Sequence, residues 1–213
     1  MAAPQPIGPA RLEIALDRPG RHRGTLYVPY SHDRSAYGRI VLPVTIIQGA
    51  PGPTLLLTGG VHGDEYEGPV ALTGLAQSLD PETLAGRVII LPMANPPAVL
   101  AGRRTSPFDN GNLARSFDGA GGGSITGQIA EGIARLLLPL ADCLVDLHSG
   151  GRTLEYLPST LSRIPADPAL AARVLAAQLA FRAPYALASR ASEANGTLVA
   201  AALARNIPAF ATE

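Results

Sequence analysis

Lysine is absent from this sequence: all 17 basic residues are arginine, and 17 acidic residues balance them. Zero formal net charge excludes a global field that would draw nucleic acid or an anionic membrane, so recognition through charge has to be local. Arginine without lysine, in an alanine-rich chain, reads as a composition bias, and an arginine carries meaning only in a special context. A single cysteine, Cys143, excludes an internal disulfide framework and is compatible with a reducing compartment. Within the apolar run ADCLVDLH it reads as an inert buried thiol. No run of about 18 consecutive apolar residues is present, which excludes a membrane-spanning helix. The start MAAPQPIGPARLEIAL lacks the basic and then apolar pattern of a signal peptide. The expectation is a cytoplasmic protein with no nucleic-acid or membrane partner.

What the chain does have is enough apolar residue, 46% of 213, for one sizeable core. Residues 1–50 read as β-rich: LEIAL (12–16), GTLYVP (24–29) and IVLPVTIIQG (40–49) are separated by turns containing proline, glycine and polar residues. The rhythm then changes. TLLLT (54–58), RVIILP (87–92), CLVDL (143–147) and IPAFAT (207–212) are short apolar runs, the pattern of strands buried on both faces. Between them GPVALTGLAQSL (68–79), SITGQIAEGIARLLLPL (124–140) and DPALAARVLAAQLAF (167–181) have helical spacing, with Pro69 near the first turn of its helix. This alternation predicts an α/β domain: a mixed, largely parallel central sheet with helices on both faces. GAGGGS (119–124) reads as a flexible loop, too short to separate a pair of independent cores, so residues 1–213 form a single domain.

Open α/β sheets bind ligands beyond the carboxyl ends of their strands. His62 and Glu65 follow the run at 54–58, His148 follows CLVDL, and Glu213 follows IPAFAT. His62 and Glu65, three apart, can aim at one point from a single turn. With His148 they make a His₂Glu set, the donors of catalytic zinc in several hydrolases. Such a metal lowers the pKa of a bound water to roughly 7. Glu213 is the candidate for a second carboxylate that moves the water's proton. Each residue also has a plainer reading. His-x-x-Glu opens many solvated helices, and a lone strand-end histidine is often a hydrogen-bonded core residue. Asp146, two before His148, shares its strand face and suits either a ligand-holding or a structural role. Asp64 reads as turn-forming and Glu67 as helix N-terminal charge. His22 and His32 read as solvated.

Several long blocks in order then resemble one family: PYSHDRSAYGRIVLPVTII, LLTGGVHGDEYEGP, PMANPPAVLAGRRTSPFDNGNLARSF, LLPLADCLVDLHSGGRTLEYLPS and AFATE. The chain resembles the succinylglutamate desuccinylase/aspartoacylase family of zinc-dependent deacylases, relatives of the zinc carboxypeptidases. Within it, the match is nearest the N-α-acetyl-L-2,4-diaminobutyrate deacetylases of ectoine degradation.

The resemblance implies a zinc-carboxypeptidase-like fold and one zinc ion per chain, held by His62, Glu65 and His148. Glu213 would be general base and acid. Arg104, or its neighbour Arg103, would stabilise the oxyanion, a contribution of about 3–4 kcal/mol. Arg115 would hold the substrate carboxylate through its planar guanidinium, with Asn112 beside it. The substrate would be a small N-acyl amino acid, and a homo-oligomer is compatible with the family.

Two positions depart from the family's pattern: Ala114 stands where asparagine is usual, and Phe117-Asp118-Gly119 replaces Phe-Pro-Gly. The first removes a polar contact near the substrate and leaves other N-acyl amino acids open. Related enzymes continue past the catalytic glutamate into more chain and a β-rich region. The resemblance therefore implies a chain truncated at its C-terminal end, and a catalytically inactive metal-binding fragment is the alternative. A chain ending at Glu213 would be expected to fray there.

Overall fold

The computed structural model describes residues 10–119, 122–189 and 196–213. Among the described residues nine strands form one sheet: β1 (Arg11–Glu13), β2 (Gly20–Pro29), β3 (Arg39–Gln48), β4 (Ala50–Gly59), β5 (Ala85–Leu91), β6 (Cys143–Leu147), β7 (Ser159–Arg163), β8 (Tyr185–Ser189) and β9 (Ala209–Thr212). Their order across the sheet is β1-β2-β3-β5-β4-β6-β9-β7-β8. The centre, β5-β4-β6-β9, is parallel. The β1–β3 side is antiparallel and joins β5 antiparallel. On the other side β7 runs antiparallel to β9 and parallel to β8. This is the expected mixed α/β sheet.

Helices α1 (Glu67–Ser78), α2 (Pro96–Ala101), α3 (Ile125–Leu136), α4 (Pro168–Phe181) and α5 (Leu198–Leu203) complete the fold. Strand alternation divides the core in two. Leu56, Ile89, Leu144 and Ala209 face one side with Ile129 and Ile133 of α3 and Ala202 of α5. Their sequence neighbours Leu57, Ile90, Val145 and Phe210 face the other with Leu72 and Ala76 of α1. Both faces are buried, which is why these strands read as unbroken apolar runs.

The predicted helix at 124–140 is shorter than expected. It ends at Leu136 and gives way to a 3₁₀ turn, Leu138–Leu140, because Pro139 has no amide proton to continue the ladder. The structure also contains α2, α5, β7 and β8, none of which stood out in the sequence. Ala120 and Gly121 of the expected glycine loop lie outside the described residues. No helix among the described residues is long and apolar enough to cross a membrane.

Candidate active site

Strands β4, β6 and β9 are adjacent and parallel, and their register pairs Gly59 with Leu147 and Leu147 with Thr212. One step further, Gly60, His148 and Glu213 therefore lie in a row beyond the sheet. The segment from Gly60 to Glu65 crosses the ends of these strands before α1 begins. It is pinned from outside by Asn95, whose backbone N–H donates to the Gly60 carbonyl (3.0 Å) and whose side chain donates to the Val61 carbonyl (3.3 Å). Gly63 lies so close to the α2 backbone that a Cβ would collide with the Ala98 carbonyl. Only glycine allows this approach.

The outcome is convergence. His62, Glu65 and His148 each offer one ligand atom, and these atoms lie within 4.8 Å of one another. Glu65, 4% exposed, is the hub. Its Oε2 lies 2.8 Å from His148 Nδ1 and accepts from the Ser149 N–H (3.3 Å), while its Oε1 accepts from Arg104 Nη1 (3.1 Å). The far ring nitrogen of His148, Nε2, lies 3.1 Å from Asp146 Oδ2, and Asp146 Oδ1 accepts from Thr58 Oγ1 at 2.6 Å. Asp146 therefore fixes the ring so that Nδ1 faces Glu65, the arrangement that orients metal-bound histidines. Glu67 takes the Ser149 hydroxyl from the first turn of α1.

Electrostatics point the same way. Burial lowers the His62 pKa to about 4, leaving a neutral imidazole at neutral pH. For His148 burial opposes the charged ring, but the charge of Asp146 and hydrogen bonds to Asp146 and Glu65 outweigh it and raise the pKa to about 10. A metal cation would displace that proton and compensate the same carboxylates. Two imidazoles and a buried carboxylate, backed by a second carboxylate, fit a divalent metal of the zinc type.

A cavity of about 580 Å³ opens over this cluster and is lined by His62, Glu65, His148, Arg104, Arg115 and Glu213, among others. The backbone of Glu213 pairs with Ser159 in both directions, at 2.9 and 3.0 Å, because β7 runs antiparallel beside it. Burial raises its pKa, Glu65 and Asp146 add to the effect, and His148 and Arg104 oppose it. Its Oε2 is buried and without a hydrogen-bond partner among the described residues. Asn112 stands apart from the cavity lining. Its side-chain oxygen accepts from the Ala114 N–H and caps the 3₁₀ turn Leu113–Arg115. Ala114 lines the cavity.

The buttress from Thr58, the Ser149 contacts and the far cavity wall at Ser162 and Val199 were missed by sequence reasoning. A threonine closing the apolar run 54–58 was the one signal available; that it lies across from Asp146 comes from the folded register.

A family model described as the succinylglutamate desuccinylase/aspartoacylase catalytic domain matches residues 51–213. The N-alpha-acetyl-L-2,4-diaminobutyric acid deacetylase of Halomonas elongata is 50% identical over 184 residues, covering 86% of this chain and 53% of that protein. The product-bound structure of the ectoine utilization protein EutE (DoeB) from Ruegeria pomeroyi superposes with a TM-score of 0.90 at 46% identity. That match covers 96% of this chain and 63% of the other. A succinylglutamate desuccinylase/aspartoacylase from Rhodobacter sphaeroides gives 0.89 at 40% identity, covering 97% and 61%. The chain thus spans about half the length of the curated relative and under two-thirds of these solved ones.

Proposed function

The chain belongs to the succinylglutamate desuccinylase/aspartoacylase family, and from that membership we propose that it acts as a zinc-dependent deacylase. The substrate is a small N-acyl amino acid, foremost N-α-acetyl-L-2,4-diaminobutyrate, as in the Halomonas relative. The observation that carries this is the convergence of His62, Glu65 and His148 within 4.8 Å at the floor of a cavity that Glu213 also lines.

His62, Glu65 and His148 hold the ion, with Asp146 holding His148 from behind. When bound, zinc supplies Lewis acidity that polarises the amide carbonyl and makes water nucleophilic near neutral pH. Glu213 takes the water's proton and returns it to the departing amine. A half-buried carboxylate with a raised pKa and an oxygen unpartnered among the described residues suits both halves of that transfer. Arg104 reaches in from the cavity rim, its side chain 56% exposed, and donates to the oxyanion. Arg115 pairs with the substrate carboxylate, which a planar guanidinium binds through two parallel hydrogen bonds.

The test is to load the purified chain with zinc, measure bound metal, and assay acetate release from N-α-acetyl-diaminobutyrate beside a panel of other N-acyl amino acids. One zinc per chain with acetate release is the expected result. Failure to retain zinc would overturn the proposal, and turnover of only a different acyl amino acid would replace the substrate. Ala114, at a position where the family usually has asparagine, favours one second reading, a metal-binding unit without turnover. That reading predicts zinc binding with no release from any member of the panel.

A further inference from the structure

Arg104 and Arg115 sit at the two ends of one loop that has almost no regular structure between α2 and the turn at Leu113–Arg115. Long arginine side chains on such a segment need something to hold their backbone in place. Within the loop, Ser106 is fully buried and its N–H donates to the Gly111 carbonyl (3.0 Å). Asn110 adopts a left-handed conformation, φ 53°. At the centre is Asp109. Its Oδ1 accepts from the Gly111 N–H (3.0 Å) and from Thr126 Oγ1 (2.7 Å), and its Oδ2 accepts from the Thr126 N–H (2.7 Å).

Thr126 lies in the first turn of α3, whose Ile129, Ala130 and Ile133 are fully buried. The carboxylate therefore ties the loop to a rigid region of the core. The helix does not need Asp109 as its cap, because Ser124 already accepts from the Gly127 N–H. Gly111 completes the lock: a Cβ there would collide with Thr126 Oγ1.

We propose that Asp109 is a positioning residue that holds Arg104 and Arg115 at the cavity through its bonds to Gly111 and Thr126. What the two arginines do once held rests on the deacylase proposal; that Asp109 holds them does not.

Asp109→Asn tests the idea with almost no change of shape. Four donors, the Ser106 hydroxyl among them, converge on the two carboxylate oxygens, and an amide nitrogen would turn one acceptor into a donor facing a donor. Limited trypsin digestion, with cuts mapped by mass spectrometry, reads the loop directly at Arg103, Arg104 and Arg115. In the zinc-loaded chain, Asp109→Asn should speed these cuts about tenfold, the size expected for losing one charge-assisted hydrogen bond. Bound zinc should stay unchanged. In the same protein KM for the N-acyl amino acid should rise about tenfold, beyond any change in kcat.

Thr126→Val should give a smaller effect in the same direction, and Thr126→Ser should restore wild-type cutting and KM. Should Asp109→Asn not fold, the Thr126 pair decides the matter alone. Wild-type cutting rates in Asp109→Asn, or in Thr126→Val where that pair decides, would overturn the inference. If the wild-type chain turns over no acyl amino acid, the deacylase proposal falls, and the trypsin comparison still decides the role of Asp109.

Discussion

Replacing Thr58 by valine keeps the shape of a side chain that is fully buried and removes one hydrogen-bond donor. That donor serves Asp146 Oδ1 at 2.6 Å, on a carboxylate only 3% exposed. A hydrogen bond to a charged group contributes about 1.5–3 kcal/mol, and the methyl gained in place of the hydroxyl offsets about 0.8 kcal/mol of this. The net loss is about 1–2 kcal/mol. In a domain of this size each kcal/mol moves the melting midpoint by about 2–4 °C, so the metal-free variant should melt about 2–8 °C lower.

Thr58→Ser is the control. It keeps the donor and loses the methyl, at a cost of about 1 kcal/mol, so stability alone does not separate the two. Zinc affinity does. Asp146 sets the orientation of His148, and loosening such a support typically weakens metal binding about tenfold or more. Chelator-competition titrations should therefore show weaker zinc binding in Thr58→Val and near wild-type binding in Thr58→Ser. Equal zinc affinity in all three proteins would refute the claim that the Thr58–Asp146–His148 chain supports the site.

The metal-free chain should also lose stability on acidification through His62, whose pKa falls from 6.5 to about 4 through burial. The unfolded chain binds this proton more readily, so the contribution is present above pH 6.5 and fades as pH falls toward 4. Its full size is about 3 kcal/mol. Urea denaturation at pH 7 and pH 4.5 should show about 2 kcal/mol of this loss in the wild type and a smaller one in His62→Gln. Arg115→Lys should raise KM for an N-acyl amino acid about tenfold, with a lesser effect on kcat, because a point charge replaces a two-pronged donor. Steady-state kinetics on the zinc-loaded chain check this.

Most of the sheet was legible because its central strands are buried on both faces. The run CLVDL coincides with β6, and the residues after such runs supplied His62, His148 and Glu213 without knowledge of the fold. The other side of the cavity was opaque. Strand β7 buries Ser159, Thr160 and Ser162, polar residues that look like a loop until Gln178 arrives from α4 to bond Ser162 and Thr160. Strand β8 is exposed along its whole length and shows no alternation, while α5, at six residues, is too short for a helical period to register. The roles of Thr58 and Ser149 depend on the register between β4 and β6, which only the folded sheet supplies. Arg104 and Arg115 came from the family resemblance; spacing alone did not separate them from solvated arginines. The backbone pairing of Glu213 with Ser159 was equally hidden, because it comes from β7, a strand invisible in the sequence.

The central claim is that His62, Glu65 and His148 hold zinc while Glu213 moves the proton. Acetate release by zinc-loaded Glu213→Gln, measured with its bound zinc, tests both halves together. One zinc per chain is expected, as in the wild type, with turnover lowered about 10²–10⁴-fold, the usual contribution of a positioned acid–base group. Unchanged turnover at full zinc loading would contradict it.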